Sequence, residues 1–545
     1  MTEVVPEGSE SLEDKDPEGS QAAVAVGQIR HLAAHTALLL SSGVVGYGAV
    51  LGLNIVLARQ LGAAGFGAWA VAFSVASTFS TIGLVGADWT LQRHGSYFHG
   101  IGDELRLRRT LQLALLWSGS ALIVLAIGIV LLAPTLAHRV FHSVGLVPLL
   151  RLAGLMLPVS GLSQLLLVGT RAFKSMKESA LIRNIVQPMA RLIFATIALF
   201  IVATPVSAFV GLFCAEFFTT CCAAVALHRK IRLFGPTAPV ALGEMGRFAL
   251  PAWGTKVIEN LRGQIFPLLL GSLATLSATG AFVATRRISV APTAIIAALN
   301  TVYAPMVGDL DLQNRRSELE ALFKSVGKWS FTLGLPLFCY QVAFPKEILS
   351  IFGGSFQNAT PALIVLGIGM LFSFGTGPVT VTLIVSGRAG LALFDYFLVI
   401  ATEIGLSFWL IPSLGVLGAA IANAAGLTVN NVLPLWQVWR GQGFHPYRWD
   451  YWKPTLAAIV ATLVAKLVLF EAKLPIGVTA AAVAAVVIGG CYTGLVLLFG
   501  LGEDREVVDG LIKKVRRRTT SRPAAPPTVD QYGSTTDQLG STTDQ

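Results

Sequence analysis

Charged side chains are scarce in this sequence. Aspartate, glutamate, lysine and arginine make up 13% of its 545 residues, whereas about 25% is usual in soluble domains. Because 54% of the residues are apolar, the chain has too few polar side chains to cover a surface that faces water. This composition excludes a soluble globular protein and is typical of a polytopic membrane protein, most of whose surface is covered by lipid.

Motifs for several kinds of chemistry are also missing. The cysteines lie in apolar stretches without the paired spacing of a metal site, and Gly327-Lys328 lacks the upstream glycine of a phosphate-binding loop. We therefore expect no metal, no cofactor and no ATP hydrolysis. The net charge is +10, but the cations are scattered between apolar runs instead of forming one basic face, so we expect no nucleic-acid partner.

Long apolar runs fill most of the chain. A continuous run of about 20 residues is typical of a spanning helix, whereas the strands of a β-barrel would alternate with a period of two. The runs, bounded by charged residues, Gly or Pro, predict an all-α polytopic membrane protein with about fourteen transmembrane helices. The predicted spans are 35–58, 66–87, 110–133, 148–170, 184–203, 205–227, 248–270, 280–305, 326–345, 360–385, 390–411, 415–438, 454–471 and 475–500.

The distribution of lysine and arginine supports an even number of spans. Cationic side chains near span ends are retained on the cytoplasmic side. With both termini cytoplasmic, most of the 40 cations fall on the inner side, and those on the outer side are Arg59, Arg139, Arg151, Lys346 and Lys473. One missed span would invert every later loop and remove this bias. We therefore predict a multi-pass protein with both termini in the cytoplasm.

The two parts of the chain resemble each other at a constant offset. Leu61 and Trp117 align with Leu273 and Trp329, and after a one-residue insertion Gly67 aligns with the glycine at 280. Corresponding spans then run in the same direction, which predicts two pseudo-symmetric six-helix lobes around an axis along the membrane normal. The predicted organisation is a disordered cytoplasmic N-tail (1–34), an N-lobe (35–247, spans 1–6), a C-lobe (248–438, spans 7–12), a helix pair (454–500), a basic interfacial helix (503–518) and a disordered C-tail (519–545).

Ionisable residues inside spans are the candidate functional residues, because a charge in mid-membrane costs a few kcal/mol unless it faces protein or water. Span 7 carries Lys256, Glu259 and Arg262 on one side, and span 8 carries Arg286 and Arg287. Arg262 and Arg287 lie at nearly the same depth, roughly 12–14 Å from the turn between the spans. Such cations need an anion between them. It is either Glu259, in a structural pair, or a ligand in a cationic cavity, and we favour the cavity.

Two further groups of charges occur within spans. Arg191 in span 5 and Glu216 in span 6 are at matching depth, which predicts a structural ion pair. Asp395 and Glu403 share one side of span 11, where no cation accompanies them. A carboxyl near mid-membrane, as at Glu403, can couple transport to an ion gradient by taking up a proton, or it can pair with a cation of span 7 or 8.

Two motifs resemble those of the oligosaccharide flippases of the multidrug/oligosaccharidyl-lipid/polysaccharide exporter superfamily, the O-antigen and capsular polysaccharide transporters. Residues 58–69 contain Ala-Arg, Leu-Gly and then aromatic-Gly-x-aromatic between spans 1 and 2. Residues 412–422, Pro-Ser-Leu-Gly-Val-Leu-Gly-Ala-Ala-Ile-Ala, are similar to the family's segment entering span 12. Weaker similarity occurs at 280–287 and 386–388. In these motifs we expect Gly62 and Gly67 to permit a tight outer turn, and Gly415 and Gly418 to permit close helix approach.

The resemblance implies a central cavity between the lobes, alternating access, and transport of a polyprenyl-diphosphate-linked oligosaccharide across the bacterial inner membrane. The expected partners are this lipid-linked oligosaccharide, membrane lipids and polysaccharide-assembly proteins. Substrate binding is expected at Lys256, Arg262, Arg286 and Arg287, and ion coupling or charge pairing at Glu259, Asp395 and Glu403. Because residues 36–58 contain no charged side chain, the anion site is expected to lie mainly in the second lobe.

Other functions are less compatible with these residues. A drug or cation antiporter of the same superfamily should place acids at its substrate. A membrane polymerase or glycosyltransferase should have a large outer loop or surface catalytic acids, whereas the longest predicted outer loops are the short segments 134–147 and 346–359. We therefore predict a protein that is not an enzyme; a scaffold without transport activity would lack a polar cavity between the lobes.

The predicted topology can be tested with single cysteines and a membrane-impermeant maleimide in intact cells. Positions 140, 350 and 473 should be labelled from outside, whereas 100, 178, 240 and 318 should react only after permeabilisation, because the lysine and arginine bias places them inside. Reversed labelling at any internal loop would contradict the proposed segmentation.

Overall fold

The computed structural model describes residues 17–173, 176–240, 242–447 and 449–498. Within these ranges the regular secondary structure is entirely helical, and the all-α fold class is confirmed. Residues His35–Leu498 form one compact unit. The predicted basic helix at 503–518 and the C-tail at 519–545 lie outside the described residues, as do residues 1–16 of the N-tail. The first helix begins at Pro17, inside the predicted tail.

The described residues up to 240 form eight α-helices. They are α1 (Pro17–Gly83), α2 (Ala87–Thr90), α3 (Ser96–Gly100), α4 (Glu104–Thr135), α5 (Val147–Ala172), α6 (Met176–Leu181), α7 (Gln187–Ile201) and α8 (Pro205–His228). Short π-helical segments continue α2, α4 and α6. Helix α4 packs on α5, α5 packs on α8, and α8 packs on α7.

Eleven α-helices follow. They are α9 (Leu242–Leu273), α10 (Leu276–Val290), α11 (Thr293–Leu312), α12 (Arg316–Ala343), α13 (Pro345–Ser350), α14 (Thr360–Thr376), α15 (Val379–Val385), α16 (Ala389–Leu414), α17 (Val416–Gln442), α18 (Trp452–Glu471) and α19 (Val478–Leu498). Helix α17 packs on α14 and α16, and α12 packs on α14. The pair α18–α19 lies against α12.

Eleven helices of the described chain are long and apolar enough to cross a membrane. One of them, 45–83, doubles back at Gly62, where the backbone has φ +66°. Its two arms are antiparallel, because Asn54 on the first arm (45–61) and Phe73 on the second arm (63–83) line the same small cavity. Helices α9 and α12 are 32 and 28 residues long, but charged residues lower their hydropathy. Fourteen spans therefore remains a prediction.

Two predicted spans are each broken into two helices. Span 8 (280–305) is α10 followed by α11, and the break lies at Ala291–Pro292. Span 10 (360–385) is α14 followed by α15, with Gly377 at φ +67° and Pro378 between them. Proline lacks the amide hydrogen that continues a helical ladder, so helices end near it.

The glycines of the two motifs have partly different roles from those predicted. In each motif, one glycine forms a turn and the other allows two helices to pack closely. Gly62 forms the turn of α1, but Gly67 is helical and lies directly against Leu276 and Gly280 of α10, where a Cβ atom would overlap their backbone. Similarly, Gly415 joins α16 to α17 with φ +54° and Gly418 abuts the carbonyl of Leu410. Each pair thus contains one glycine for backbone conformation and one for close helix contact.

The second arm of α1 meets the second half of the chain near both of its ends. At the predicted outer end, Gly67 packs on α10 and the Phe66 ring lies 6.3 Å from that of Phe356. At the predicted inner end, the Trp253 Nε1–H donates to the carbonyl of Ile82 at 3.1 Å. A cavity lies between these two contact zones.

Candidate functional site

The central cavity lies between the second arm of α1, α9 and α10. Its volume is about 260 Å³. The Ser74 hydroxyl donates to Gln264 Oε1 at 3.0 Å and so ties α1 to α9 across one side. The wall combines aromatic and small apolar side chains with a few polar groups, as is usual for ligand sites: Trp69, Ala70, Phe73, Ser74, Gly263, Gln264, Pro267, Val283, Arg286, Arg287 and Val290.

Two arginines of α10 provide the positive charge of this cavity. Arg286 Nη1 donates to the carbonyl of Gly263 at 2.7 Å, and its guanidinium carbon lies 5.9 Å from the centre of the Phe266 ring. Its Nε atom has no hydrogen-bond partner among the described residues. Arg287 follows directly and lines the cavity as well. Among the described residues, no ion pair includes Arg286 or Arg287, so their charges are available to an anion.

The carboxylate next to Arg262 is that of Glu403. Arg262 Nε lies 3.5 Å from Glu403 Oε2, and Asn423 Nδ2 donates to Glu403 Oε1 at 3.4 Å. Glu403 is only 2% exposed and also interacts electrostatically with Arg286. Glu259, the partner considered from the sequence, is exposed and takes part in no ion pair of the described residues. Tertiary packing of α9 against α16 therefore supplies the anion that span 7 alone does not.

Lys256 and Asp395 lie apart from the central cavity. Lys256 pairs with Asp88 of α2 at the predicted inner end, and it is not among the residues that line the cavity. The buried Asp395 accepts a hydrogen bond from Gln437 Nε2 of α17 at 2.7 Å. Of the four cations predicted to bind substrate, the structure thus brings Arg286 and Arg287 to the cavity and holds Arg262 beside Glu403.

Arg191 is a cavity residue that sequence reasoning did not assign to the site. Its predicted ion pair with Glu216 is confirmed, with Nε 2.5 Å from Oε1. The same guanidinium lies 5.8 Å from the centre of the Phe73 ring and lines, with Arg287, a second cavity of about 30 Å³. The cationic region therefore extends into the first half of the chain, although Arg286 and Arg287 lie in the second half, where the anion site was mainly expected. In the sequence, the only indication of this role was that Arg191 is a charged residue within span 5.

The sequence model of the family described as polysaccharide biosynthesis protein matches residues 32–310. A protein of Haloferax volcanii named "Probable low-salt glycan biosynthesis flippase Agl15" is 25% identical over 182 residues, which are 32% of this chain and 39% of that protein. The chain thus aligns with well under half the length of this relative.

Two solved structures share the fold. The structure titled "Lipid II flippase MurJ, inward closed conformation" has a TM-score of 0.67 and 12% identity, over 85% of this chain and 98% of that chain. A multidrug resistance MATE family transporter of the MOP superfamily, in an inward-facing conformation, has a TM-score of 0.56 and 14% identity, over 73% of this chain and 94% of that chain. At these identities, the likeness concerns the fold.

The pairing of Arg262 with Glu403 can be measured by a double-mutant cycle. Glu403→Gln leaves the Arg262 guanidinium without its carboxylate and should destabilise the protein by about 1–3 kcal/mol, the usual cost of a polar group left without its partner. Arg262→Gln in the same protein should recover part of this loss, because the unpaired charge is then removed. Thermal unfolding of the detergent-solubilised single and double variants provides the measurement, and strictly additive losses would contradict the pairing.

Proposed function

The chain belongs to the polysaccharide biosynthesis protein family and is a multi-pass membrane protein, and from this premise we propose that it flips a polyprenyl-diphosphate-linked oligosaccharide across the bacterial cytoplasmic membrane. Both termini then lie in the cytoplasm, in accordance with the distribution of lysine and arginine. The substrate binds in the central cavity and crosses by alternating access. Proteins that assemble the polysaccharide are the expected partners on either side of the membrane.

The observation that carries this proposal is the pair Arg286–Arg287, which forms no ion pair with a carboxylate of the described residues. A cation within the membrane is costly unless an opposite charge or water compensates it. The diphosphate of a lipid-linked sugar carries such a charge, and its oxygens are strong acceptors for the several N–H groups of a guanidinium. Arg191, which lines the second cavity together with Arg287, adds a third cation whose own charge is balanced by Glu216.

The contacts at the two ends of α1 support alternating access. The cavity lies between these two zones, and both zones are in contact in this structure. Separation at the predicted inner end would break the Lys256–Asp88 pair and the bond from Trp253 to Ile82, whereas separation at the outer end would part Gly67 from α10. We therefore assign Lys256 to closure of the inner end and not to substrate binding.

Transport of a cationic drug is less compatible with the cavity. A cation would meet Arg286, Arg287 and Arg191, and the acids nearest to them, Glu403 and Glu216, are already paired with arginines. Repulsion between like charges in a region of low dielectric would oppose its binding. An anionic substrate avoids this cost.

Arginine substitutions test the proposed binding site. Arg287→Ala and Arg286→Ala should lower surface polysaccharide at least tenfold in cells that lack the native gene, because a charge-assisted contact worth about 1.5–3 kcal/mol is lost. Arg287→Lys should retain part of the activity, because it keeps the charge. The matched control is Arg151→Ala, an exposed arginine within α5. Wild-type polysaccharide in both alanine variants, at equal protein levels in the membrane, would contradict the proposal.

We further propose that Glu403 couples flipping to an ion gradient. On protonation, Glu403 would release Arg262, which would then add its charge to the region of Arg286. Asp395 lies on the same helix but is held by Gln437 and serves as a structural group. In vesicles with an imposed proton or sodium gradient, wild-type transport should respond to one gradient, and Glu403→Gln should bind substrate but not complete the cycle. Transport that ignores both gradients would leave Glu403 as the partner of Arg262 alone.

A further inference from the structure

Two buried polar groups beside the central cavity have no hydrogen-bond partner in the part of the chain that the structure describes. Trp69 is 4% exposed and Asn54 is 1% exposed, yet Trp69 Nε1 and Asn54 Oδ1 make no hydrogen bond with the described residues. The Asn54 amide nitrogen is already used, since it donates to the carbonyl of Val50 at 2.6 Å. One hydrogen-bond donor, on the second arm of α1, and one acceptor, on the first arm, therefore remain without a partner among the described residues. Buried groups without partners are rare because each costs free energy.

The two residues that carry these groups line one small chamber. Trp69 and Asn54 both line the cavity of about 30 Å³, which is room for about one or two groups of the size of a water molecule. This chamber shares Trp69, Phe73 and Arg287 with the central cavity. Ring stacking fixes the indole, because Phe73 lies nearly parallel to it at 5.3 Å and Phe66 at 6.1 Å. The position of the N–H group is thus set before any ligand arrives.

The chemistry of the two groups differs from that of the arginines. An ionised diphosphate offers only acceptor oxygens, so it can satisfy Arg286 and Arg287 but not the Asn54 oxygen. A hydroxyl group offers both functions: its oxygen can accept from Trp69 Nε1–H while its hydrogen is donated to Asn54 Oδ1. Sugar hydroxyl groups adjoin the diphosphate in a lipid-linked oligosaccharide.

We propose that Trp69 and Asn54 form a subsite for one hydroxyl group of the sugar attached to the diphosphate. The inference rests on the proposed function, because the arginines must hold the diphosphate for the sugar to reach the chamber. The central cavity, at about 260 Å³, is slightly smaller than the roughly 300–1,000 Å³ of pockets for drug-sized ligands. At this volume it receives the diphosphate and the adjacent sugar, and a longer glycan extends beyond it. The cavity therefore distinguishes substrates by the first sugar, which is attached to the diphosphate.

Binding measurements with two kinds of probe test the subsite. The purified full-length protein in nanodiscs is titrated with farnesyl diphosphate and with farnesyl diphosphate linked to one sugar, from a panel of glucose, galactose, mannose and N-acetylglucosamine. At least one sugar-linked probe should bind wild type more tightly than farnesyl diphosphate. Trp69→Phe, which keeps the ring, and Asn54→Leu, which keeps the approximate shape, should each lower that affinity roughly two- to tenfold, as expected for one hydrogen bond. Both should change the affinity for farnesyl diphosphate less than the affinity for that sugar-linked probe.

A matched control is Trp329→Phe, which removes another buried indole N–H without a partner, on α12 and away from the cavity lining. It should bind every probe as wild type does. If no sugar improves on farnesyl diphosphate, or if the preference survives in both cavity variants, the chamber holds water only and the subsite is overturned while diphosphate binding stands. If wild type binds neither kind of probe, or if Arg287→Ala leaves farnesyl diphosphate binding unchanged, the proposed function itself fails.

Discussion

The cost of a charge inside a membrane organises this protein. Lipid cannot solvate an ionised side chain, so each buried charge needs an opposite charge, a hydrogen-bond partner or a polar cavity. Arg191 meets this requirement with Glu216, Arg262 with Glu403, and Lys256 with Asp88. These pairs join different helices, and Lys256–Asp88 also joins the two halves of the chain. The contacts that neutralise these charges are thus also contacts that hold the helices together.

Against this background, Arg286 and Arg287 are exceptional. Arg286 has only a carbonyl and an aromatic ring as close partners, and neither arginine belongs to an ion pair of the described residues. A buried cation without a counterion destabilises the fold, and a protein retains such a group when an anionic ligand compensates for it. Their position on α10, beside a cavity that lies between the two contact zones of the second arm of α1, connects this local cost to substrate movement. Any conformational change that opens one end must also change the surroundings of these arginines.

Close backbone contact supplies the geometry that side-chain charge alone cannot. Gly67 and Gly280 allow α1 and α10 to approach until their backbones touch, which brings Trp69 and Phe73 opposite Arg286 and Arg287. A larger side chain at either glycine would push the helices apart and widen the cavity wall. The aromatic stack on α1 then fixes the orientation of the indole edge. The pairing of α1 with α10 thus combines small residues where the helices touch with large aromatic residues at the cavity.

Hydropathy and charge spacing by themselves determined the helical fold class, the spans of α4, α5, α7 and α8, and the identity of Arg286 and Arg287 as candidate residues. These features depend on properties of one helix at a time, namely its length, its apolar character and the cost of a charge within it. The pairing of Arg191 with Glu216 was also predictable, because one short turn connects their helices. Glu403 could be named as a partner for a cation of span 7 or 8, but not assigned to Arg262.

Tertiary structure decided everything that depends on which helices touch. It moved the carboxylate beside Arg262 from Glu259, on the same helix, to Glu403, more than a hundred residues away. Tertiary packing also paired Lys256 with Asp88 and placed Arg191 in the lining of the second cavity. It also brought Asn54 and Trp69 together across the Gly62 turn. The physical reason is that helical periodicity orients a side chain around its own axis only, whereas a binding site is made of side chains from several helices whose separation and rotation are set by packing.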